Sequence, residues 1–174
     1  AKGFKLQYCQ TGNSKPEPMG IFAYAMEGNG KYSGIGPKDH GVRLARAHTM
    51  TGLGVLCLEF LGEGSSHESL GGLAYLRTLE VDWDKAVTEK RSPLYSWYYQ
   101  TQAIFQSQGI PGNPKGEEDW RRWNNMFAKL LVNHQNKDGS WLSPSPNENN
   151  YALIENSGSI YSTCLSALTL MVYY

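Results

Sequence analysis

Charge is scarce in this sequence and balanced: Lys and Arg together number 16, Asp and Glu together 16, and charged residues make up 18% of the 174 positions. With no net field to attract a polyanion, nucleic acid and anionic membrane surfaces are not expected as partners. Long hydrophobic runs are missing too. The longest uncharged apolar stretch, residues 160–174, is shorter than the roughly 20 residues of a bilayer span. It also carries Ser162, Thr163, Ser166 and Thr169, so it reads as a buried core helix and not as a membrane span. Cysteine is limited to Cys9, Cys57 and Cys164, odd in number and widely spaced, which argues against a disulfide framework and leaves free thiols acting as small hydrophobes. Residues 1–10 lack the basic start and apolar centre of a signal peptide, so no targeting signal is read within the chain and the compartment stays open. His40, His48, His67 and His134 show no ligand spacing, so no metal is expected. Gly52-Leu53-Gly54 is no nucleotide fingerprint, because no strand precedes it, and no cofactor is expected.

What is present is helical grammar. A hydrophobic share of 40% suits one domain with its own core over residues 1–174. Three segments, residues 47–61, 94–108 and 159–174, carry almost no charge and are apolar around the whole circumference, as inner helices are. Started at Thr51, Tyr98 and Thr163 they align without gaps: TGLGVLCLEFLG, YYQTQAIFQSQG and TCLSALTLMVYY. Small residues coincide at Gly54, Thr101 and Ser166, large apolar ones at Leu58, Phe105 and Leu170, and Val55, Gln102 and Ala167 share a position. The recurrence predicts an internal repeat.

An amphipathic outer helix precedes each inner one. The third, residues 120–135, repeats Trp120, Trp123, Phe127, Leu130 or Leu131, and His134 at helical spacing, with Glu117, Glu118 and Asp119 in the first turn, where the helix dipole favours them. Pro111-Gly112-Asn113-Pro114 and Asp138-Gly139 bound it. The second, residues 66–80, has Leu70, Leu73, Leu76 and Leu79 as its stripe and Ser66 or Ser65 as N-cap. The first is expected as a helical stub over residues 4–10. Residues 10–44, rich in glycine and proline, form a long loop with room for short strands or turns, in which Gly20-Ile21-Phe22-Ala23-Tyr24 reads as a stretched copy of Gly139-Ser140-Trp141. The expected fold is all-α, three antiparallel helix hairpins. Three hairpins bury their inner faces poorly alone, so the chain is expected to be part of a larger array, completed by the rest of a parent polypeptide or by a second copy.

The run Trp123, Phe127, Leu131, Gln135, Gly139, Trp141 resembles the repeat of squalene cyclases and protein prenyltransferase beta subunits, and in particular uncharacterised bacterial proteins with prenyltransferase and squalene oxidase repeats. The resemblance implies half of an α/α toroid in which Gln135 caps the outer helix, Gly139 permits the turn and Trp141 packs between repeats. It also implies a small apolar or isoprenoid ligand. The catalytic motifs of such proteins have no counterpart here. Asp82-Trp83-Asp84 is the nearest match to a DxDD acid motif but lacks the adjacent aspartate, and reads as an exposed turn with Trp83 packed beneath it. Asp-x-Cys and Cys-Gly-Glu-Gln do not occur, so catalytic residues stay unassigned.

A ligand surface is expected on the second inner helix, where Tyr95, Tyr99, Gln102 and Gln106 share one face flanked by Trp97, Tyr98 and Phe105. By the repeat alignment His48 and Glu59 stand on the equivalent face of the first inner helix. They are about 16 Å apart along it, too far for a direct dyad. The competing reading is a packed centre in which these groups satisfy one another. Lys38, Asp39, His40, Arg43 and Arg46 lead into the first inner helix, as an anion site or as a solvated loop. Three functions follow: a non-catalytic module that binds a partner or small ligand, a terpenoid or lipid-processing enzyme whose acid lies outside this chain, and a carbohydrate-active toroid. The last needs a second carboxylate within about 10 Å of Glu59.

Overall fold

The computed structural model describes residue 2 and residues 8–11, 19–22, 40–89, 93–144 and 159–173. The described residues are mostly helical: α1 His40–Phe60, α2 His67–Leu76, α3 Trp83–Glu89, α4 Leu94–Gln106, α5 Gly116–Asn133 and α6 Ser159–Leu170. The uncharged segments become α1, α4 and α6, and α4 lies between the other two and packs on both. α2 and the strand β2 pack on α1, and α5 packs on α4. One core runs through the assembly, with Phe22, Leu58, Leu76, Trp97, Trp123 and Phe127 among its buried members.

The expected helical stub at residues 4–10 is corrected over residues 8–10, and residues 4–7 lie outside the described residues. Tyr8–Thr11 forms a strand, β1, paired antiparallel with β2, Met19–Phe22, with Tyr8 opposite Phe22 and Thr11 opposite Met19. The antiparallel partner, and not a helix, satisfies the backbone groups of these four residues.

The internal repeat has a physical counterpart in two hydrogen bonds. The Phe22 N–H donates to Thr51 Oγ1 at 3.2 Å, and the Trp141 N–H donates to Thr163 Oγ1 at 3.0 Å. Thr51 and Thr163 are the same position of the aligned inner helices, and Phe22 and Trp141 each close a Gly-x-aromatic triplet. One turn along, at the shared small position, a Cβ on Gly54 would lie 2.3 Å from Phe22 Cγ, and Thr101 Oγ1 accepts a hydrogen bond from Trp123 Nε1 at 2.8 Å. The small residues mark where an outer aromatic ring seats on an inner helix.

At the end of α5 the roles implied for Gln135 and Trp141 are redistributed. The Leu131 carbonyl, left over at the helix end, accepts the Trp141 indole N–H at 2.7 Å as well as the His134 N–H at 3.1 Å. Gln135 does not cap the helix; its Nε2–H donates to the Gly139 carbonyl at 3.0 Å and braces the turn. Gly139 sits at φ +86°, the left-handed region that other residues resist. Ser140 donates from both N–H and Oγ to Asp138, and these bonds, side chain first, hold the Asp138 carboxyl below its ordinary range.

α3 is unexpected. Asp82 Oδ1 accepts the Lys85 N–H at 2.9 Å, an N-cap contact that starts a helix where a turn was expected. Trp83 stacks on His134 with ring centroids 4.3 Å apart and meets Trp97 at 6.2 Å. Ser66 caps α2 as expected, accepting from the Ser69 N–H at 3.4 Å. α2 ends at Leu76, short of residue 80; Arg77 keeps a helical backbone as its C-cap, and its side chain bonds Asp119 Oδ2 at 2.5 Å and Asn113 Oδ1. α1 starts at His40, seven residues before residue 47, so His40, Arg43 and Arg46 lie within its backbone and do not lead into it. α6 is not buried on all sides, contrary to expectation: Ile160, Cys164, Leu168 and Met171 are exposed, because no other described element lies over that flank. No helix among the described residues is long and apolar enough to cross a membrane.

Candidate functional site

The chain turns sharply between α1 and α2, and the turn meets the end of α4. Gly62 takes φ +76° after α1, which lets its last turn close and carries the chain back. A Cβ on Gly64 would lie 2.8 Å from Ile110 Cδ1, so glycine there leaves room beside the Ile110-Pro111 segment. The result is a cleft of about 250 Å³ whose walls include Phe60, Ile110 and Pro111 and whose polar groups are Glu59, Ser65 and Gln106. That volume falls just below the usual range for ligand pockets, about 300–1,000 Å³, and suits a compact molecule.

Glu59 sets the chemistry. Both of its carboxyl oxygens are buried, and neither has a hydrogen-bond partner among the described residues. Burial pushes the carboxyl up from an ordinary 4.5 to about 9. At neutral pH it is therefore an acid that holds its proton, with one donor and one acceptor unmet beside the cleft. Gln106 at the end of α4 adds an exposed amide with both hydrogen-bonding functions.

A second depression, of about 510 Å³, lies over the turn from Gly109 to Glu117. Its buried amide is already used: Asn113 Nδ2 donates to the Ser107 carbonyl and Asn113 Oδ1 accepts from Arg77. None of the buried side-chain polar atoms left without a partner lies in that lining, and Glu59 decides between the two.

Of the residues expected to line a ligand surface, Glu59 and Gln106 come together in this cleft, and Tyr95, Tyr99 and Gln102 do not join them. Tyr95 and Tyr99 stand where the spacing put them, one turn apart on α4, and their rings meet edge to face at 4.8 Å. Gln102 is half-buried on the same helix. The side chains of His48, Arg43 and Arg46 and residues 38 and 39 lie outside the described residues. Sequence reasoning missed Ser65, Ile110 and Pro111. Two signals bear on them, the helix stop at Gly62 and the Pro-Gly break that returns the chain to the same corner. Among the described residues no group of three or more His, Cys, Asp or Glu could hold a metal ion.

Set against models of protein families, curated proteins and solved structures, the chain matches none.

Proposed function

We propose that this chain is a helical binding module, a half toroid of prenyltransferase and squalene oxidase type repeats. It takes a compact ligand, with an apolar body and a hydroxyl or amide head, in the Glu59 cleft. One observation carries the reading: a carboxyl group stands in a cleft with both oxygens buried and without a partner. Such a group is costly unless something bonds it, and a ligand head supplies what the fold leaves unmet. Phe60, Ile110 and Pro111 would hold the apolar body. A small isoprenoid alcohol has this shape and polarity.

Titration with isopentenyl alcohol, followed by amide NMR shifts, tests the proposal. Saturable shifts at Gly64, Ser65 and the Gln106 side-chain amide are expected at about millimolar concentration, as befits so few ligand atoms. Glu59→Leu should abolish them and Glu59→Gln, which keeps the neutral donor and acceptor, should retain them. Equal shifts in wild type and Glu59→Leu would sink the reading. Isopentylamine distinguishes a cation site: its binding would require the ionised carboxylate and would be lost in both variants.

The same observation favours one enzymatic reading, in which Glu59 donates its proton as a general acid. The carbohydrate-active form of it needs a second carboxylate across the cleft, and the lining contains only Glu59. The terpenoid form needs aromatic walls, whereas Trp97 is buried in the core and Phe105 packs on Trp120 and Tyr173. Binding is the better account.

A further inference from the structure

The repeat register exposes a mismatch between the two ends of the helix row. α1 meets α4 through a flank that includes Gly52, Leu56 and Glu59. A Cβ on Gly52 would lie 2.7 Å from the Gln100 backbone nitrogen, Leu56 is buried, and Glu59 shares a cleft with Gln106. In the alignment the same positions on α6 are Cys164, Leu168 and Met171, with Ile160 one turn before. There the flank is bare: Ile160 is 68% exposed, Leu168 45% and Met171 55%, and Cys164 is exposed as well.

The other flank shows the reverse. On α1 it comprises Leu53 and Cys57, both half-buried, and Phe60, 71% exposed. Its counterparts on α6 are half-buried Leu165, with Thr169 and Val172 buried. On α4, which has a neighbour on each side, Gln100, Ile104 and Ser107 of this flank are buried, and of the first flank Ala103 is buried, Tyr99 half-buried and Gln106 exposed. Among the described residues the first flank is therefore open on α6, and the other flank is open on α1 at Phe60. Both bare flanks are uncharged.

We propose that the bare flank of α6 receives the flank of α1 that carries Leu53, Cys57 and Phe60 from a second copy of this chain, head to tail, continuing the α1–α4–α6 packing across two molecules. The occupant follows from continuity. The α6 flank repeats the positions by which α1 holds α4, and the α1 flank repeats the positions by which α6 is held. Cys164 bears a side chain where Gly52 lets two helices touch, so the spacing matches that of α4 on α6, where Tyr99 occupies the position. A head-to-tail contact is heterologous. It leaves one bare flank at each end of every pair and builds a ring or an open filament. One helix flank per molecule makes a small interface, of the class that buries less than about 1,200 Å² in total and associates weakly.

Light scattering of the full chain, carried to about 1 mM where contacts of this size assemble, should show the mass rising above that of one chain. Leu168→Glu, on the α6 flank, and Phe60→Lys, on the α1 flank, should each stay single. Mixed in equal amounts they should double in mass and stop there, because each contributes the intact flank the other lacks. Met171→Glu repeats the α6 test at a more exposed position and decides the matter where far-UV circular dichroism shows Leu168→Glu to be misfolded. A mixture of Leu168→Glu and Met171→Glu should stay single. Wild type remaining a single chain throughout the range would overturn the proposal. So would pairing of Phe60→Lys by itself, which would mean that α6 flanks meet face to face.

Discussion

A carboxyl group held as the neutral acid leaves a signature in the pH dependence of stability. Glu59 titrates near 4.5 in an open chain and near 9 in the folded one. Below 4.5 both states carry the proton and the residue adds nothing. Between the two values the unfolded chain releases its proton while the folded chain keeps it, so stability falls as pH rises, by at most about 1.4 kcal/mol per unit. At pH 7 the accumulated cost is on the order of 3 kcal/mol, reduced by the cleft's opening to solvent. Above 9 the loss is complete. Glu59→Gln should therefore melt about 5 °C higher than wild type near pH 8 and at the same temperature near pH 4. Thermal unfolding followed by circular dichroism measures the difference, and equal shifts at both pH values would contradict a buried acid.

At the scale of elements, the unit is an inner helix with an aromatic triplet clasped to it. Thr163 accepts the Trp141 N–H, and its hydroxyl also reaches the Trp141 carbonyl at 3.4 Å. Thr163→Val preserves shape and removes both contacts, so a loss of about 1–3 kcal/mol is expected in urea unfolding. Hydrogen exchange should quicken at Trp141 and leave Phe22, clasped by Thr51 at the far end of the row, unchanged. Much of this level was legible in the sequence. Trp120, Trp123 and Phe127 at helical spacing place α5, and the coincidence of Thr51 with Thr163 announces a shared contact before any coordinate is known. Other parts were not. β1 is invisible to periodicity because four residues match a helix or a strand equally well, and its pairing with β2 is made across a loop. The bare flank of α6 was hidden for a different reason: an uncharged helix has the same pattern whether it is covered on both sides or on one. Glu59 was placed on its face by the alignment, yet its lack of a partner depends on Ile110 and Pro111, which chain geometry brings to it from fifty residues away.

For the molecule as a whole, the close approach of α1 to α4 at Gly52 is also a setting. Gly52 touches the Gln100 backbone, which cannot swing aside as a side chain would. Glu59 stands two turns further along α1, about 10 Å away. A methyl group at residue 52 would act as a wedge near one end of a pair of rods whose other end is the cleft. Gly52→Ala should cost about 1–3 kcal/mol in urea unfolding. It should also admit water to Glu59, so that stability depends less steeply on pH and isopentenyl alcohol binds more weakly, although no cleft residue has changed. Unaltered pH dependence in a destabilised Gly52→Ala would show that the two ends move independently. The missing methyl group at residue 52 is, in mechanical terms, the stop that fixes how far the jaws can open.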